Sequence, residues 1–524
     1  CITNRAEETV HLRRRSMEEI FHVIDIIVAI IGPISDFCWE FPTNFEWYSS
    51  IPVLGEFSFS TILLVGSGIY FTFRLSAIQV RMFKKGLYIL AHSQQKELGI
   101  SPLAAFLLSS GIRVGPGNIM GVTGAIAAGG PGALFWMWVS AFFGMATAYT
   151  ESTLAQIFKE RQDNEYVGGL PYYAKTLCNN KIWVGAIASA AYIMYSMCGI
   201  PVDSFNTVTG IAAMGRIVTG IDYPVQSNFY YYVSAFVITL VAFMSFGGVK
   251  RVTKACEFMV PIMAGIYFLT VIALILYNSG SIGYFFNAVF SGAFTPQAMF
   301  GGAFGITLVQ GVKRGLMSNE AGQGTITMAA GAAHAKHPCE QGLVGAVGVF
   351  LDTHVICTLT GFIIIMAHQW VQNPEVWQET ETYNRFLMSV SSMTPGGIET
   401  IILFLLSMCF ALFAYTCVIG MVAFTEVSAR QISSNKIFIN IVRIFCISVS
   451  AFGILSSIAG YDLDRIWAFE DLGNITIVYV NILMLHIGFK YVKKATAHFR
   501  KGEEAFTSDV LGIDTPCWNK ETDK

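Results

Sequence analysis

Eleven stretches of mostly apolar residues follow one another along this chain, near 57–79, 101–128, 131–157, 183–213, 229–246, 257–277, 299–334, 342–367, 400–426, 437–458 and 472–490. About 20 such residues span the hydrocarbon of a bilayer as a helix, and backbone inside lipid must satisfy its own hydrogen bonds. The pattern therefore predicts an all-α polytopic membrane protein. A twelfth stretch, 17–36, carries Glu18, Glu19 and Asp25, so it either crosses or lies in the interface. Composition agrees: 54% of the 524 residues are hydrophobic and 13% charged, where a soluble domain carries about a quarter charged. A net charge of -2 offers no basic surface for nucleic acid. The eleven cysteines are scattered singly, mostly inside apolar runs, which is neither a disulfide framework nor a zinc ligand set. The chain opens on Cys1 rather than Met, as a fragment or a processed chain would, and no cleavable signal is predicted near it.

Basic residues orient the spans. With 57–79 running inward, the inside segments 1–16, 74–100, 158–182, 247–256, 335–341, 427–437 and 490–524 hold 26 Lys and Arg, and the outside segments hold three, Arg216, Arg385 and Arg465. Such asymmetry places the basic side in the cytoplasm, with the C-terminus there. Residues 1–16 reach that side only if 17–36 crosses. The longest polar stretches, 368–399 and 491–524, are too short for a conventional soluble domain.

Two spans are not ordinary helices. The stretch 101–128 contains Gly111, Gly115, Pro116, Gly117, Asn118 and Gly121, and Gly115-Pro116-Gly117 should interrupt its hydrogen-bond ladder. The stretch 299–334 holds eight glycines with Lys313, Arg314, Asn319 and Glu320 embedded. Small residues also let membrane helices pack closely, which explains any single glycine. The cluster asks for more. Counted from 101–128, the two broken spans are the first and sixth of ten and run in opposite directions. Interrupted segments at matching places of two inverted halves point to a transporter's binding site. The predicted division is an N-terminal segment 1–56 with a possible extra helix and external loop, an additional helix and cytoplasmic loop at 57–100, a first five-helix repeat at 101–298, a second at 299–490, and a cytoplasmic polar tail at 491–524.

Particular blocks carry a resemblance. Asn118-Ile-Met-Gly121, Gly129-Gly-Pro-Gly-Ala-Leu-Phe-Trp-Met-Trp138, Tyr166-Val-Gly-Gly169, Gly315-Leu-Met-Ser-Asn-Glu-Ala-Gly322, Phe350-Leu-Asp-Thr353 with Cys357-Thr358, and Phe413-Ala-Tyr-Thr416 resemble the alanine/glycine:cation symporter family, in order from about 57 to 490. The resemblance implies the leucine-transporter-like fold, with inverted repeats of five helices preceded here by one or two extra helices. It also implies import of alanine or glycine with sodium, without an organic cofactor.

A zwitterionic amino acid at mid-membrane needs acceptors for its ammonium and donors for its carboxylate, and half-helix ends supply both. Gly115, Gly117, Asn118 and the chain before Gly121 are the expected backbone contacts. Asn118 would offer its amide oxygen to sodium or its NH2 to the carboxylate, and a packing hydrogen bond is the bland alternative. Phe304 and Leu308 flank Gly305 where the family walls its side-chain pocket; core packing is the alternative. Asp352 lies well inside its span, where an ionisable residue is costly and marks a functional site. With Thr353 beside it a cation site is predicted, and proton carriage competes. Arg314, near the cytoplasmic end of its span, is expected to pair with Glu320 or Asp352 as an inner gate or as a structural ion pair.

Four positions depart from the family's pattern. Thr416-Cys417 and Met421 stand where the family commonly has two hydroxyl residues, facing its second sodium site, and a Trp. A thiol is a poor sodium ligand, which leaves Thr416 and backbone carbonyls to hold that cation, and Met421 beside Cys417 would enlarge the substrate pocket. Pro116 stands where Thr is usual. Asp203, in Ile200-Pro-Val-Asp203, stands near a common Gln; it would attract an ammonium, replace a cation ligand, or simply face water. The expected function is thus sodium-coupled symport of a small neutral amino acid across the cell membrane. The alternatives are a proton-coupled or altered-substrate relative and, from another class, a membrane-embedded enzyme. His334-x-x-His337 is too solitary for a transition-metal site, and no nucleophile signature accompanies it. A channel would need a pore ring that is not visible. The sequence carries no signal of oligomeric state.

Overall fold

The computed structural model describes residues 21–22, 24–51, 54–94, 98–162, 165–294, 302–372, 374–461, 467–502 and 506–519. It is a helical bundle: α1 (24–40), α2 (Phe59–Arg74), α3 (Phe83–Ala91), α4 (Pro102–Arg113), α5 (Val122–Gly129), α6 (Ala133–Ile157), a hairpin β1 (Glu160–Gln162) and β2 (Glu165–Val167), α7 (Leu170–Leu177), α8 (Ile182–Thr219), α9 (Asn228–Ser245), α10 (Gly248–Tyr277), α11 (Ile282–Phe294), α12 (Gly302–Asn319), α13 (Thr327–Ala332), α14 (Pro338–Val349), α15 (Thr358–Met366), α16 (Thr382–Met393), α17 (Glu399–Ile432), α18 (Lys436–Ile458) and α19 (Trp467–Lys501). Among the described residues, eight helices are long and apolar enough to cross a membrane, α14 and α15 counting as one with the turn between them. The shorter apolar α2 and the two interrupted helices, α4–α5 and α12–α13, complete the eleven predicted spans.

The interruptions fall where the chain cannot sustain a helix. Ser101 caps α4 by accepting the Ala104 amide, with Pro102 in the first turn. The helix then ends ahead of Gly115-Pro116 and resumes through a π-helical turn over Gly117–Gly121. The second break, between α12 and α13, turns through left-handed backbone at Glu320 (φ 55°), Gly322 (φ 85°) and Gly324 (φ 78°). Glycine takes that conformation without cost; a glutamate does not, so Glu320 stores local strain of the kind that clusters at working sites. A further π turn, Phe350–Cys357, separates α14 from α15.

The undecided stretch 17–36 is resolved in part, although residues 1–20 lie outside those described. At the start of α1 the Tyr461 hydroxyl donates to Asp25 (3.0 Å) and Phe21 stacks on Tyr461. At its end Trp39 donates to the Asp471 carbonyl (2.8 Å) and Tyr479 to that of Cys38 (3.3 Å). Tyr461 and Asp471 flank the loop joining α18 to α19. Both ends of α1 are therefore tied to the α18–α19 end of the bundle, the rim opposite the basic face, and Phe21 and Ile24 also pack in one cluster with Val202 and Phe205 midway along α8.

The opposite end is the basic face, with Lys159, Lys175, Lys250, Arg430, Arg443 and Arg500. Instead of ending in a free polar tail, the chain continues as helix to Lys501, and 506–519 folds back onto this face. Trp518 donates to the Gln156 carbonyl (2.8 Å) with Lys159 over its ring, and Phe506 packs against Trp518, His337 and His498. The Cys339 amide donates to His337 Nδ1 (3.1 Å). Burial, with His498 and Lys85 adding to it, pushes the His337 pKa down to about 3, so the ring stays neutral and turns Nε2–H toward His498. Trp518→Ala is expected to lose about 3 kcal/mol, in line with other buried aromatic truncations. The readout is a lower melting temperature in detergent, and an unchanged one would mean that the docked segment adds no stability.

Candidate functional site

Asn118 sits on the π turn that restarts the first broken helix and is fully buried. Its Oδ1 accepts the Gly115 amide (2.9 Å), which holds the broken segment in shape. Its Nδ2 donates to Asp352 Oδ1 (2.6 Å) and reaches Ser318 Oγ (3.2 Å) and Cys357 Sγ (3.3 Å). Asp352 Oδ2 accepts the hydroxyls of Ser318 and Thr353, both at 2.8 Å. Asn319 Nδ2 donates to Thr353 Oγ1 (3.2 Å). Three elements far apart in sequence thus deliver a carboxylate, two hydroxyls and an amide NH2 to one buried point. Both Asn118 and Asp352 lie on π turns, where the widened helix re-aims side chains, as is common at functional sites.

Beside this cluster lies open space. Gly117 is exposed although it sits in the middle of a broken helix, and a Cβ added at Gly117, Gly121 or Gly124 would meet nothing within 4 Å. Those glycines recur at helical spacing, so they form one bare track along the π turn and α5, on the side that α12, α15 and α16 leave uncovered. Toward the basic face the bundle is shut. The Ile100 amide donates to the Ala332 carbonyl (3.1 Å) and the His334 amide to that of Ile100 (2.8 Å). Gln156 and Lys159 both donate to the Ala333 carbonyl, at 2.8 and 3.0 Å. Glu165 of the hairpin pairs with Lys250 (3.0 Å) and Arg430 (3.9 Å).

The other predicted residues fall as follows. Gly115 packs on α17, and a Cβ there would stand 2.5 Å from Cys417 Sγ. The Cys417 thiol donates to the Ile112 carbonyl (3.0 Å), while Thr416 donates to Phe413 on its own helix (3.1 Å) and faces Met263. Thr416, expected at a second cation site, turns its hydroxyl to its own helix backbone. Met421 rests its thioether on Gly199, one turn before Asp203. Leu308 is buried beside Thr307, whose hydroxyl donates to the Gly129 carbonyl, so it lies at the far end of α5 rather than at the break. The side chain of Phe304 lies outside the described residues.

The expected inner gate of Arg314 and Glu320 is corrected. Gly311 and Gly315, either side of Arg314, pack on the first two turns of α6 around Ala133–Ser140, so Arg314 stands on the rim side of the break. Its charge faces Asp471 at the start of α19. Glu320 instead accepts the Thr325 hydroxyl (2.5 Å) within the break. Six residues separate the two along α12, and the helix carries the longer side chain away from the turn that follows.

Arg113 and Glu151 are among the buried charges outside the predicted set. Arg113 is 2% exposed; its Nε donates to the Asn319 carbonyl (3.1 Å) and one terminal nitrogen to that of Gly345 (3.5 Å), which ties the first break to the second. Glu151 of α6 is fully buried, accepting the Gly322 amide (3.3 Å) and Asn481 Nδ2 (3.0 Å). The signal was present: an ionisable residue within an apolar span is a functional candidate by default.

Comparison with known proteins decides what this architecture belongs to. The sequence model described as the sodium:alanine symporter family matches residues 47–511. The chain belongs to the sodium:alanine symporter family. Relatives include the probable sodium/glutamine symporter GlnT of Bacillus subtilis, 34% identical over 87% of this chain and 92% of the relative, and the sodium/alanine symporter AgcS of Methanococcus maripaludis, 32% identical over 81% and 90%. The solved structure of MhsT in complex with L-phenylalanine shares the fold, with a TM-score of 0.53 at 12% identity over 76% of this chain and 91% of that one. This member of the sodium:alanine symporter family is accordingly a multi-pass membrane amino-acid transporter and not an enzyme, built on the leucine-transporter-like bundle of two inverted five-helix repeats.

Proposed function

We propose that the chain is a secondary active symporter that imports a small neutral amino acid, alanine or glycine in the first instance, with sodium by alternating access. One observation carries the reading. Asn118 from the first broken helix, Ser318 from the end of the second, and Asp352 with Thr353 meet at one buried point beside the bare track of Gly117, Gly121 and Gly124. A carboxylate with hydroxyl oxygens suits sodium, a hard cation, and the hydroxyl protons can rotate away to expose lone pairs. The glycine track leaves backbone accessible to the amino and carboxyl groups of a substrate, at the ends of half-helices whose dipoles favour such charges.

The names of the two relatives share sodium and differ in the amino acid, alanine in one and glutamine in the other. That supports sodium as the coupling ion more than any one substrate. The halves 101–298 and 299–490 frame the cycle, and the basic face is read as cytoplasmic, with the C-terminus on it. In that orientation the ion pairs of Glu165 with Lys250 and Arg430 lie at the cytoplasmic exit. Cargo binding would bring the rim side of α12, with Arg314, toward Asp471, and release would part Glu165 from Lys250 and Arg430.

The test is uptake of labelled alanine and glycine into proteoliposomes under an inward sodium gradient, an inward proton gradient, or neither. Accumulation with sodium is expected. Accumulation with protons alone would move coupling to a titrating carboxylate, and equilibration without concentration under either gradient would overturn symport.

A further inference from the structure

Asp203 is a carboxylate that the ion cluster does not use. It lies midway along α8, half-buried, and its one hydrogen bond among the described residues comes from Asn206 on the same helix (3.3 Å). No basic side chain pairs with it among the described residues. Arg113 already faces Glu151, Asp352 and Glu320, and the charged neighbour of Asp203 is Glu320, of like sign. A carboxylate so placed in a membrane helix is costly unless cargo balances it.

Its direction follows from helix geometry. Gly199 packs against Met421 and Gly210 against Ala411, so that face of α8 meets α17. At about 100° per residue, Asp203 lies within about 40° of Gly199 and about 20° of Gly210. The antiparallel register of those two contacts sets Asp203 level with Cys417, whose sulfur touches the first break at Ile112 and Gly115. Asp203 therefore stands on the face of α8 that meets α17, level with the sulfur that touches the first break, whose glycine-lined backbone is read as the anchor for the substrate's amino and carboxyl groups. The Met421 thioether, one turn away, supplies an apolar wall for a short aliphatic stem.

Resting on the symport reading, we propose that Asp203 selects the substrate side chain, extending the substrate class beyond alanine and glycine to amino acids whose side chain ends in an N–H donor, amide or ammonium. A carboxylate accepts and never donates when ionised, so a methyl or hydrogen leaves it unpaired, whereas a terminal N–H satisfies it.

The test is competition against sodium-driven uptake of labelled alanine in proteoliposomes by asparagine, glutamine, 2,3-diaminopropionate, ornithine, valine and unlabelled alanine. The expected result is that at least one donor-ended amino acid competes about tenfold or more better than alanine, while valine does not. The amide-bearing and ammonium-bearing competitors separate the two donor chemistries, and either one supports the proposal. In Asp203→Asn that preference ratio should collapse toward one, and in Asp203→Glu it should persist. Equal competition by alanine and every donor-ended amino acid would overturn the proposal. So would an equal loss for all competitors in Asp203→Asn, which would put the carboxylate on the α-ammonium. Absence of sodium-driven uptake of any amino acid would instead overturn the symport reading on which this rests.

Discussion

Asp352→Asn is expected to raise the sodium concentration needed for half-maximal uptake by roughly 10–100-fold, the equivalent of about 1.5–3 kcal/mol for interactions made to a charged group. The carboxylate accepts Asn118 Nδ2, the Ser318 hydroxyl and the Thr353 hydroxyl, so both of its oxygens are engaged and oriented. An amide keeps one acceptor and turns a donor toward Ser318 and Thr353, which themselves must then accept. The negative charge that would hold a cation beside these oxygens is gone. Uptake of labelled alanine across a series of sodium gradients measures the effect, and the melting temperature of the purified variant checks that the bundle still forms. Unaltered sodium dependence in a folded variant would reduce Asp352 to a structural partner of Asn118.

Gly117→Ala is the second. A methyl at this position meets nothing within 4 Å, so the protein should fold with its stability changed by less than about 1 kcal/mol. The same methyl enters the open space where substrate is expected to lie against backbone. Overpacking of a well-fitted site costs about 1–3 kcal/mol, so affinity should fall by roughly tenfold or more. Gly115→Ala should behave in the opposite way. Its Cβ would stand 2.5 Å from Cys417 Sγ, so the damage should appear first as a lowered melting temperature. Equal affinity for alanine in wild type and Gly117→Ala, measured by competition for uptake, would remove the glycine track from the binding site.

The contrast between these two glycines marks the limit of what was legible beforehand. In the sequence they read alike, as small residues around a proline. Only the neighbouring helix distinguishes them, because α17 presses Cys417 against one and leaves the other bare. Asn118, Asp352 and Thr353 were legible singly, since polar groups in apolar spans carry a high desolvation cost and are retained for a reason. Ser318 and Cys357, which complete their cluster, were not, since a small polar residue in a membrane helix has many packing uses. Arg113 and Glu151 are legible by the same desolvation argument.

What the sequence determined by itself is whatever depends on near neighbours along the chain. Apolar runs of sufficient length set the spans, Gly115-Pro116-Gly117 and the glycines after Glu320 set the breaks, and the skew of Lys and Arg predicted a basic end. Each of these is a local balance between backbone hydrogen bonding and solvent, and it needs no partner. What the tertiary structure alone decided is which groups meet across hundreds of residues. Asn118 and Asp352 are 234 positions apart and bonded; Thr416 belongs with α10 and its own helix; Arg314 turns to Asp471 and not to Glu320; α1 is tied by Asp25 and Trp39 to the α18–α19 connection. Those pairings depend on how tilted helices cross and on where a π turn rotates a side chain. Neither is encoded in any short stretch of sequence, because the energy that selects them arises only when all the helices are packed together.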